Sequence, residues 1–294
     1  MKKHIPYYDP MKSYEDNYKN GPFGIFRESV PMPSLSEKYT FFDFPVDIPF
    51  GIPAGPLLNG AFMVSAWRSG FSINTYKTVR SRSFPCHQFP NIIAVHGKNM
   101  DIHPGDVVLG DTDISTIDIT HDGITNSFGV PSQSPDIWIN DMKETVLMTP
   151  SGSVCIASFM GTKEEHMTKE QYVRDFSKTC EYIKQTGARI LEVNFSCPNI
   201  GKEGLICNDT QTSGDILEEL HRAKGNNPLL VKIGYFSKEQ QPDLEILLEH
   251  IHRFADGVVA INTIPATVID ENGDQVLPGS PVRRSSGTCG AAIR

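Results

Sequence analysis

The chain has 294 residues, a formal net charge of −8, 39% hydrophobic and 21% charged residues, and no block of Lys or Arg. This is the composition of an ordinary soluble globular protein; the negative charge argues against nucleic acid or an anionic membrane as a partner, and no apolar run approaches the ~18 residues of a membrane-spanning helix. The six cysteines include no C-x-x-C pair, which favours reduced thiols in the cytoplasm over a disulfide framework or a metal site.

Residues 1–48 are rich in Pro, Tyr, Asp and Phe and show no sustained period, so we interpret them as an irregular arm that packs over a domain at 49–294. From about residue 50, short apolar runs recur, and several are apolar on both faces, as buried parallel strands require. These runs are 50–54, 71–77, 153–159, 189–194, 229–233 and 257–262. Amphipathic helices are predicted at 164–186, 214–224 and 241–255. A spacing of about 30–40 residues per unit predicts an α/β fold of successive βα units, arranged as a barrel or as an open sheet.

Residues 84–150 interrupt this pattern with Gly, Pro, Asp and Thr and with short alternating runs. We expect an insertion after the second strand that carries a small antiparallel element, because long insertions are usually functional lids or rims; a solvated decoration is the alternative. Six strands are visible where a closed barrel needs eight, and the chain stops after a Gly-rich turn at 285–290. If these units close into a barrel instead of an open sheet, the chain is a TIM (β/α)8 barrel truncated after its sixth strand.

The most informative segment is 190–199, where an apolar strand runs into Asn194 and then into Cys197 and Asn199. A strand that ends in amides and a thiol is how a parallel α/β protein presents reactive groups at its carboxyl edge. A core strand followed by a polar turn with an inert thiol is the alternative interpretation.

This segment, Asn194-Phe-Ser-Cys-Pro-Asn199, resembles the N-x-S-C-P-N signature of class 1 dihydroorotate dehydrogenases and of the related dihydropyrimidine dehydrogenase domain, which are FMN-dependent (β/α)8 enzymes. Other segments follow in the family's order over residues 45–294: Pro53-Ala54-Gly55, Lys77-Thr78, Asn126-Ser127-Phe128-Gly129-Val130-Pro131, Lys232, Asn262-Thr263, and a Gly-rich turn at 286–293. The resemblance implies oxidation of dihydroorotate to orotate in pyrimidine biosynthesis, with FMN as the cofactor.

Oxidation of a saturated pyrimidine by a flavin moves a hydride from one carbon to flavin N5 and a proton from the neighbouring carbon, so the protein must supply a base. The resemblance assigns this role to Cys197. A thiol with an ordinary pKa near ~8.5 acts only as the thiolate, so activity should rise with pH. The alternative is that Cys197 is a small buried hydrophobic residue.

The substrate ring presents alternating N–H and C=O groups, and a carboxamide carries both a donor and an acceptor. Asn126, Asn194, Asn199 and Asn262 are predicted to bind this ring, as in the family, although any one of them could instead be a turn former. The loop 126–130 resembles the family's N-S-x-G-L loop, whose backbone amides hold the orotate carboxylate. The dihydropyrimidine branch lacks that loop, which favours dihydroorotate.

The two lysines resemble family lysines beside the flavin: Lys77 near the substrate carboxylate, and Lys232 near flavin N1. Lys232 lies in an apolar strand, where burial is costly without a polar or anionic partner. The predicted substrate-binding residues are Lys77, Asn126, Ser127, Phe128, Gly129, Val130, Asn194, Asn199, Asn262 and Thr263. The predicted cofactor-binding residues are Ala54, Gly55, Lys77, Thr78, Asn194, Lys232, Ile261 and Gly287.

Three departures from the family pattern leave alternatives open. The loops after the missing strands would hold the cofactor phosphate, so we expect the chain to bind FMN poorly on its own. Pro131-Ser132 replaces the usual Pro-Asn, and 56–60 resembles the class 2 branch, whose base is a serine. The subclass and the electron acceptor (fumarate, NAD through a partner subunit, or another) therefore stay open, while a homodimer is implied by the resemblance alone.

The other candidate functions are a reductase of a different cyclic amide, similar to dihydropyrimidine dehydrogenase, and an inactive barrel fragment that acts as a binding module.

Overall fold

The computed structural model describes residues 7–24, 39–96, 102–118, 120–196, 205–278, 285–291 and 293. The strands are β1 (Tyr39–Phe41), β2 (Phe44–Val46), β3 (Gly51–Ile52), β4 (Ile73–Val79), β5 (Ile92–Val95), β6 (Val107–Asp111), β7 (Gly123–Asn126), β8 (Val154–Phe159), β9 (Ile190–Asn194), β10 (Leu229–Lys232), β11 (Gly257–Val259), β12 (Ile264–Ile269) and β13 (Ser286–Gly290). The α-helices are α1 (Tyr14–Asn20), α2 (Gly60–Arg68), α3 (Pro135–Leu147), α4 (Lys169–Lys184), α5 (Thr210–Ala223) and α6 (Gln241–Phe254).

The larger of the two main sheets has six parallel strands in the order β11-β10-β9-β8-β4-β3. Neighbours in this sheet are also consecutive along the chain, apart from the strands of the second sheet that lie between β4 and β8. Each of the six apolar runs overlaps one of these strands, and the three predicted helices overlap α4, α5 and α6. The α/β fold with a parallel sheet is therefore confirmed.

The large sheet is covered on both faces, which explains why its central strands are apolar throughout. Every residue of β8 and of β9 is buried. Phe159 and Leu191 pack on one face in the same cluster as Phe176 of α4 and Leu217 of α5. On the other face, the buried residues Val154, Ile156, Ile190 and Leu230 pack with Val46 of the β1–β2 hairpin.

The arm at 1–48 has more regular structure than predicted. It contains α1, which is capped by the Ser13 side chain, and the antiparallel hairpin β1–β2. A helix of seven residues and strands of three are too short to show a period in the sequence. Tyr14 of α1 is buried and packs with the main core.

Strands from two distant parts of the chain form a second, small closed sheet in the order β12-β13-β7-β5-β6. The predicted antiparallel element at 84–150 is present as the pairs β5–β6 and β5–β7. The same region also contains α3, which the sequence analysis missed and whose Trp138 and Met142 are buried in the main core. The predicted turn at 285–290 is wrong: residues 286–290 form β13, because they pair with β12 on one side and with β7, which is distant in the sequence, on the other.

No helix in the described ranges is long and apolar enough to span a membrane.

Candidate active site

Asn194 and Lys232 lie side by side at the carboxyl ends of adjacent strands. They end β9 and β10 and face each other in the parallel register, and both are buried. Polar side chains at this edge of a parallel sheet are positioned by rigid strands, and a buried amide and ammonium there need polar partners.

A β-bulge in β4 places Thr78 against Asn194. The pairing of β4 with β8 shifts between Tyr76 and Val79, so Lys77 and Thr78 together oppose Ser158 alone. Because two residues of β4 oppose one residue of β8 here, the side chains of β4 no longer alternate regularly between the two faces of the sheet. Thr78 Oγ1 consequently lies 2.9 Å from Ser158 Oγ, and Lys77 beside it is also buried.

The Asn194 carboxamide is held at both ends. Its Oδ1 accepts hydrogen bonds from the Ser196 backbone N at 2.9 Å and from Ser196 Oγ at 2.7 Å. Its Nδ2 donates to Thr78 Oγ1 at 3.3 Å. Asn262 Nδ2 in turn donates to the Ser196 carbonyl at 3.5 Å. The structure thus brings together the predicted residues Thr78, Asn194 and Asn262.

Lys232 is paired electrostatically with Glu192, a residue that the sequence analysis missed. Lys232 Nζ donates to the Ala54 carbonyl at 3.3 Å. Burial lowers the pKa of Lys232, while the Glu192 charge raises it. Burial raises the pKa of Glu192, while the Lys232 charge lowers it. Among the described residues, Glu192 Oε1 has no hydrogen-bond partner. A carboxylate inside an apolar strand, two positions before Asn194 and so on the same face, was the available signal.

The loop after β7 has an unusual backbone. Gly129 and Val130 both have positive φ, 76° and 53°, and a β-branched residue rarely adopts this conformation. The Arg80 side chain donates to the carbonyl oxygens of both residues. Phe128 points its ring towards the arm, where it makes an edge contact with Tyr8 at 5.7 Å between ring centroids.

The remaining predicted residues occupy different surroundings. Gly55 has φ of 141°, and a Cβ built there would meet no atom within 4 Å. Gly287 lies in the small sheet opposite Asn126, where a Cβ would come within 2.3 Å of Thr263 Oγ1. Ile261 is 42% exposed. Cys197 and Asn199, the predicted base and one predicted ring-binding amide, lie outside the described residues.

Comparison with known proteins identifies the family of the chain. A family model described as "Dihydroorotate dehydrogenase" matches residues 110–294, more than half of the chain. A dihydroorotate dehydrogenase of Dictyostelium discoideum is 33% identical over 303 residues, which cover 98% of this chain and 80% of the relative.

Two further relatives match shorter stretches. The catalytic subunit of dihydroorotate dehydrogenase B (NAD(+)) of Petrotoga mobilis is 27% identical over 57% of this chain and 51% of its own length. The PreA subunit of the NAD-dependent dihydropyrimidine dehydrogenase of Escherichia coli K12 is 28% identical over 48% of this chain and 32% of its own length. From the family model and the extent of the first match, the chain belongs to the dihydroorotate dehydrogenase family, as its motifs predicted.

Proposed function

We propose that the chain oxidises dihydroorotate to orotate with FMN as its cofactor. The observation that supports this most strongly is the buried pair Asn194 and Lys232 at the carboxyl end of the parallel sheet, in a chain of the dihydroorotate dehydrogenase family. Converging buried polar groups at this edge are typical of a ligand site in an α/β protein.

The residues at this edge fit a flavin. Lys232 and Asn194 are buried polar groups on adjacent strands, and the space beside Gly55 would admit a planar group close to the backbone. Ala54, Gly55, Thr78, Asn194 and Lys232 would hold FMN; Lys77, Ile261 and Gly287 stay predictions for this role. When bound, FMN supplies the acceptor for the hydride that leaves the substrate ring.

The protein's own residues provide binding, orientation and the base. The Asn194 carboxamide cannot rotate freely, because Ser196 and Thr78 bond both of its ends, so it would present one fixed face to the ring. Lys232 would place positive charge beside the site. Cys197, three residues after Asn194, would take the proton from the ring carbon as a thiolate.

We further propose that the six parallel strands are consecutive strands of a (β/α)8 barrel. Their spatial order follows their order in the chain, and successive strands of such a barrel are neighbours. A homodimer and an electron-transferring partner subunit stay predictions from the family resemblance.

The test is an anaerobic titration of the FMN-loaded protein with dihydroorotate, followed in the visible flavin band. We expect the band to bleach. Cys197→Ala should slow bleaching by about 10²–10⁴-fold, which is the usual contribution of a general base. Cys289→Ala is the matched control, because this thiol lies in the small sheet, and it should bleach at the wild-type rate.

The same titration separates the candidate substrates. Asn126→Ala should slow bleaching by dihydroorotate, since Asn126 begins the loop assigned to the carboxylate. Bleaching by dihydrouracil but not by dihydroorotate would favour a reductase of another cyclic amide. Weak retention of FMN is expected, but failure to bind FMN even at a saturating concentration of the cofactor would contradict the cofactor proposal and favour a binding module.

A further inference from the structure

Three successive peptide groups in the loop after β7 have all their carbonyl oxygens bonded within the protein. The Phe128 carbonyl accepts from the His87 backbone N at 3.0 Å. The Gly129 carbonyl accepts from Arg80 Nη2 at 3.1 Å, and the Val130 carbonyl accepts from Arg80 Nε at 2.9 Å. The backbone N–H groups of the same three residues donate to no group in the described part of the chain. Successive backbone N–H groups can bind an anion where the backbone conformation turns them towards one side.

Arg80 is fixed in place by more than this loop. Its side chain is buried, and Nη1 lies within 3.3 Å of the Gly161 carbonyl and 3.4 Å of Thr162 Oγ1, just after β8. Its guanidinium stacks on the Phe84 ring at 4.1 Å from the centroid. A planar guanidinium can bond several carbonyl oxygens in fixed directions, whereas an ammonium cannot reproduce this geometry.

The same contacts favour the left-handed backbone of the loop. Gly129 and Val130 have φ of 76° and 53°, and a valine holds such a value only where its surroundings impose it. His87 lies against the other side, with Nδ1 at 2.9 Å from Ser127 Oγ. Its ring leaves no room for a Cβ at position 129.

We propose that Arg80 is a positioning residue that shapes residues 128–130 into a site for the carboxylate of the substrate. Its bond to the Gly129 carbonyl orients the peptide that carries the Val130 N–H, its bond to the Val130 carbonyl fixes the next peptide, and its positive charge lies next to the loop. Arg80 would thereby favour cyclic amides that carry a ring carboxylate over those that lack one. This inference rests on the proposed function, since it assigns a specificity device to the same site.

The test measures binding of orotate and of uracil to the FMN-loaded protein, together with steady-state oxidation of dihydroorotate. Arg80→Lys keeps the positive charge but removes the planar set of N–H donors that bonds the two carbonyl oxygens. We expect it to weaken orotate binding and raise KM for dihydroorotate by roughly 10- to 100-fold, with kcat changed by less than about threefold. Uracil binding should stay the same. Arg82→Lys is the matched control, because Arg82 pairs with Asp175 and Glu164 instead of the loop.

A second variant tests the mechanism. Glycine adopts positive φ without strain, so Val130→Gly in the Arg80→Lys background should recover part of the orotate affinity. If Arg80→Lys alone does not fold, the orotate affinity of the double variant is compared with that of Val130→Gly, so that the two proteins differ only at Arg80. Equal weakening of orotate and uracil binding, or unchanged orotate binding, would overturn the role of Arg80. Wild-type protein that binds orotate but does not oxidise dihydroorotate would instead contradict the proposed function.

Discussion

Glu192 is a buried carboxylate in surroundings unlike those of an ordinary core residue. It is only 1% exposed, lies within an apolar strand, and interacts electrostatically with Lys232. Removing one partner of a buried charge pair leaves the other charge without compensation, which is strongly unfavourable. We therefore expect Glu192 to oppose the effect of burial on the pKa of Lys232.

Glu192→Gln should lower the pKa of Lys232 further, because burial would then act without the opposing carboxylate. A fall of one pKa unit corresponds to about 1.4 kcal/mol. The ¹³Cε shift of labelled lysine, followed against pH in the protein without FMN, measures this directly, and FMN affinity should decline at a lower pH than in the wild type. Glu219→Gln on the surface of α5 is the control. An unchanged Lys232 titration would contradict the pairing.

Helix α4 is specified by features of its own sequence, namely an N-terminal capping box and a periodic apolar face. Its N-terminus has a capping box, in which Thr168 Oγ1 accepts from the Gln171 backbone N at 3.2 Å and Gln171 Oε1 accepts from the Thr168 backbone N at 2.9 Å. Its buried face includes Tyr172, Phe176 and Ile183. The apolar period predicted a helix over 164–186, which contains α4, but the capping box was not used and the predicted start lies before Lys169.

Thr168→Ala should reduce the free energy of unfolding by about 1 kcal/mol, the usual cost of losing an N-cap side chain. Urea denaturation followed by circular dichroism measures the change. Ser177→Ala, in the middle of the same helix, is the control and should cost nothing or stabilise slightly, since alanine has the higher helix propensity. A loss for Thr168→Ala no larger than that for Ser177→Ala would show that the cap contributes nothing.

At the scale of the whole molecule, the small sheet joins distant parts of the chain and carries a histidine between two carboxylates. His96 Nδ1 lies 3.1 Å from Asp122 Oδ2, and Nε2 lies 3.3 Å from Asp111 Oδ2. Asp122 and Asp111 together raise the pKa of His96 above its usual 6.5. The pair of His96 and Asp111 is partly exposed. Solvent therefore screens this interaction, and its contribution to stability is small.

This contribution should be present at pH values below about 6.5 while the two carboxylates stay ionised, and it should be lost as pH rises through the raised pKa of His96. The free energy of unfolding of His96→Gln should therefore fall below that of the wild type near pH 6 and converge with it at alkaline pH. Urea denaturation at several pH values measures this difference, with His252→Gln on α6 as the control. A difference that stays constant with pH would contradict the assignment.

The sequence by itself determined the features that depend on neighbouring residues. The six apolar runs, the periods of α4, α5 and α6, and the segment Asn194–Asn199 can be recognised without knowing what packs against them. They were enough to predict the parallel α/β fold and the dihydroorotate dehydrogenase family. The same local patterns did not predict α1, α2 or α3.

Only the tertiary structure decided the contacts between residues far apart in the chain. Arg80 reaches carbonyl oxygens 49 and 50 residues away, and Lys232 approaches Ala54 across 178 residues. The bulge at Lys77-Thr78 exists only in relation to β8, and β13 is a strand only because β7 and β12 lie beside it. The physical reason is that hydrogen bonds and burial depend on spatial neighbours, whereas a pattern in the sequence records only which face of its own element a residue occupies.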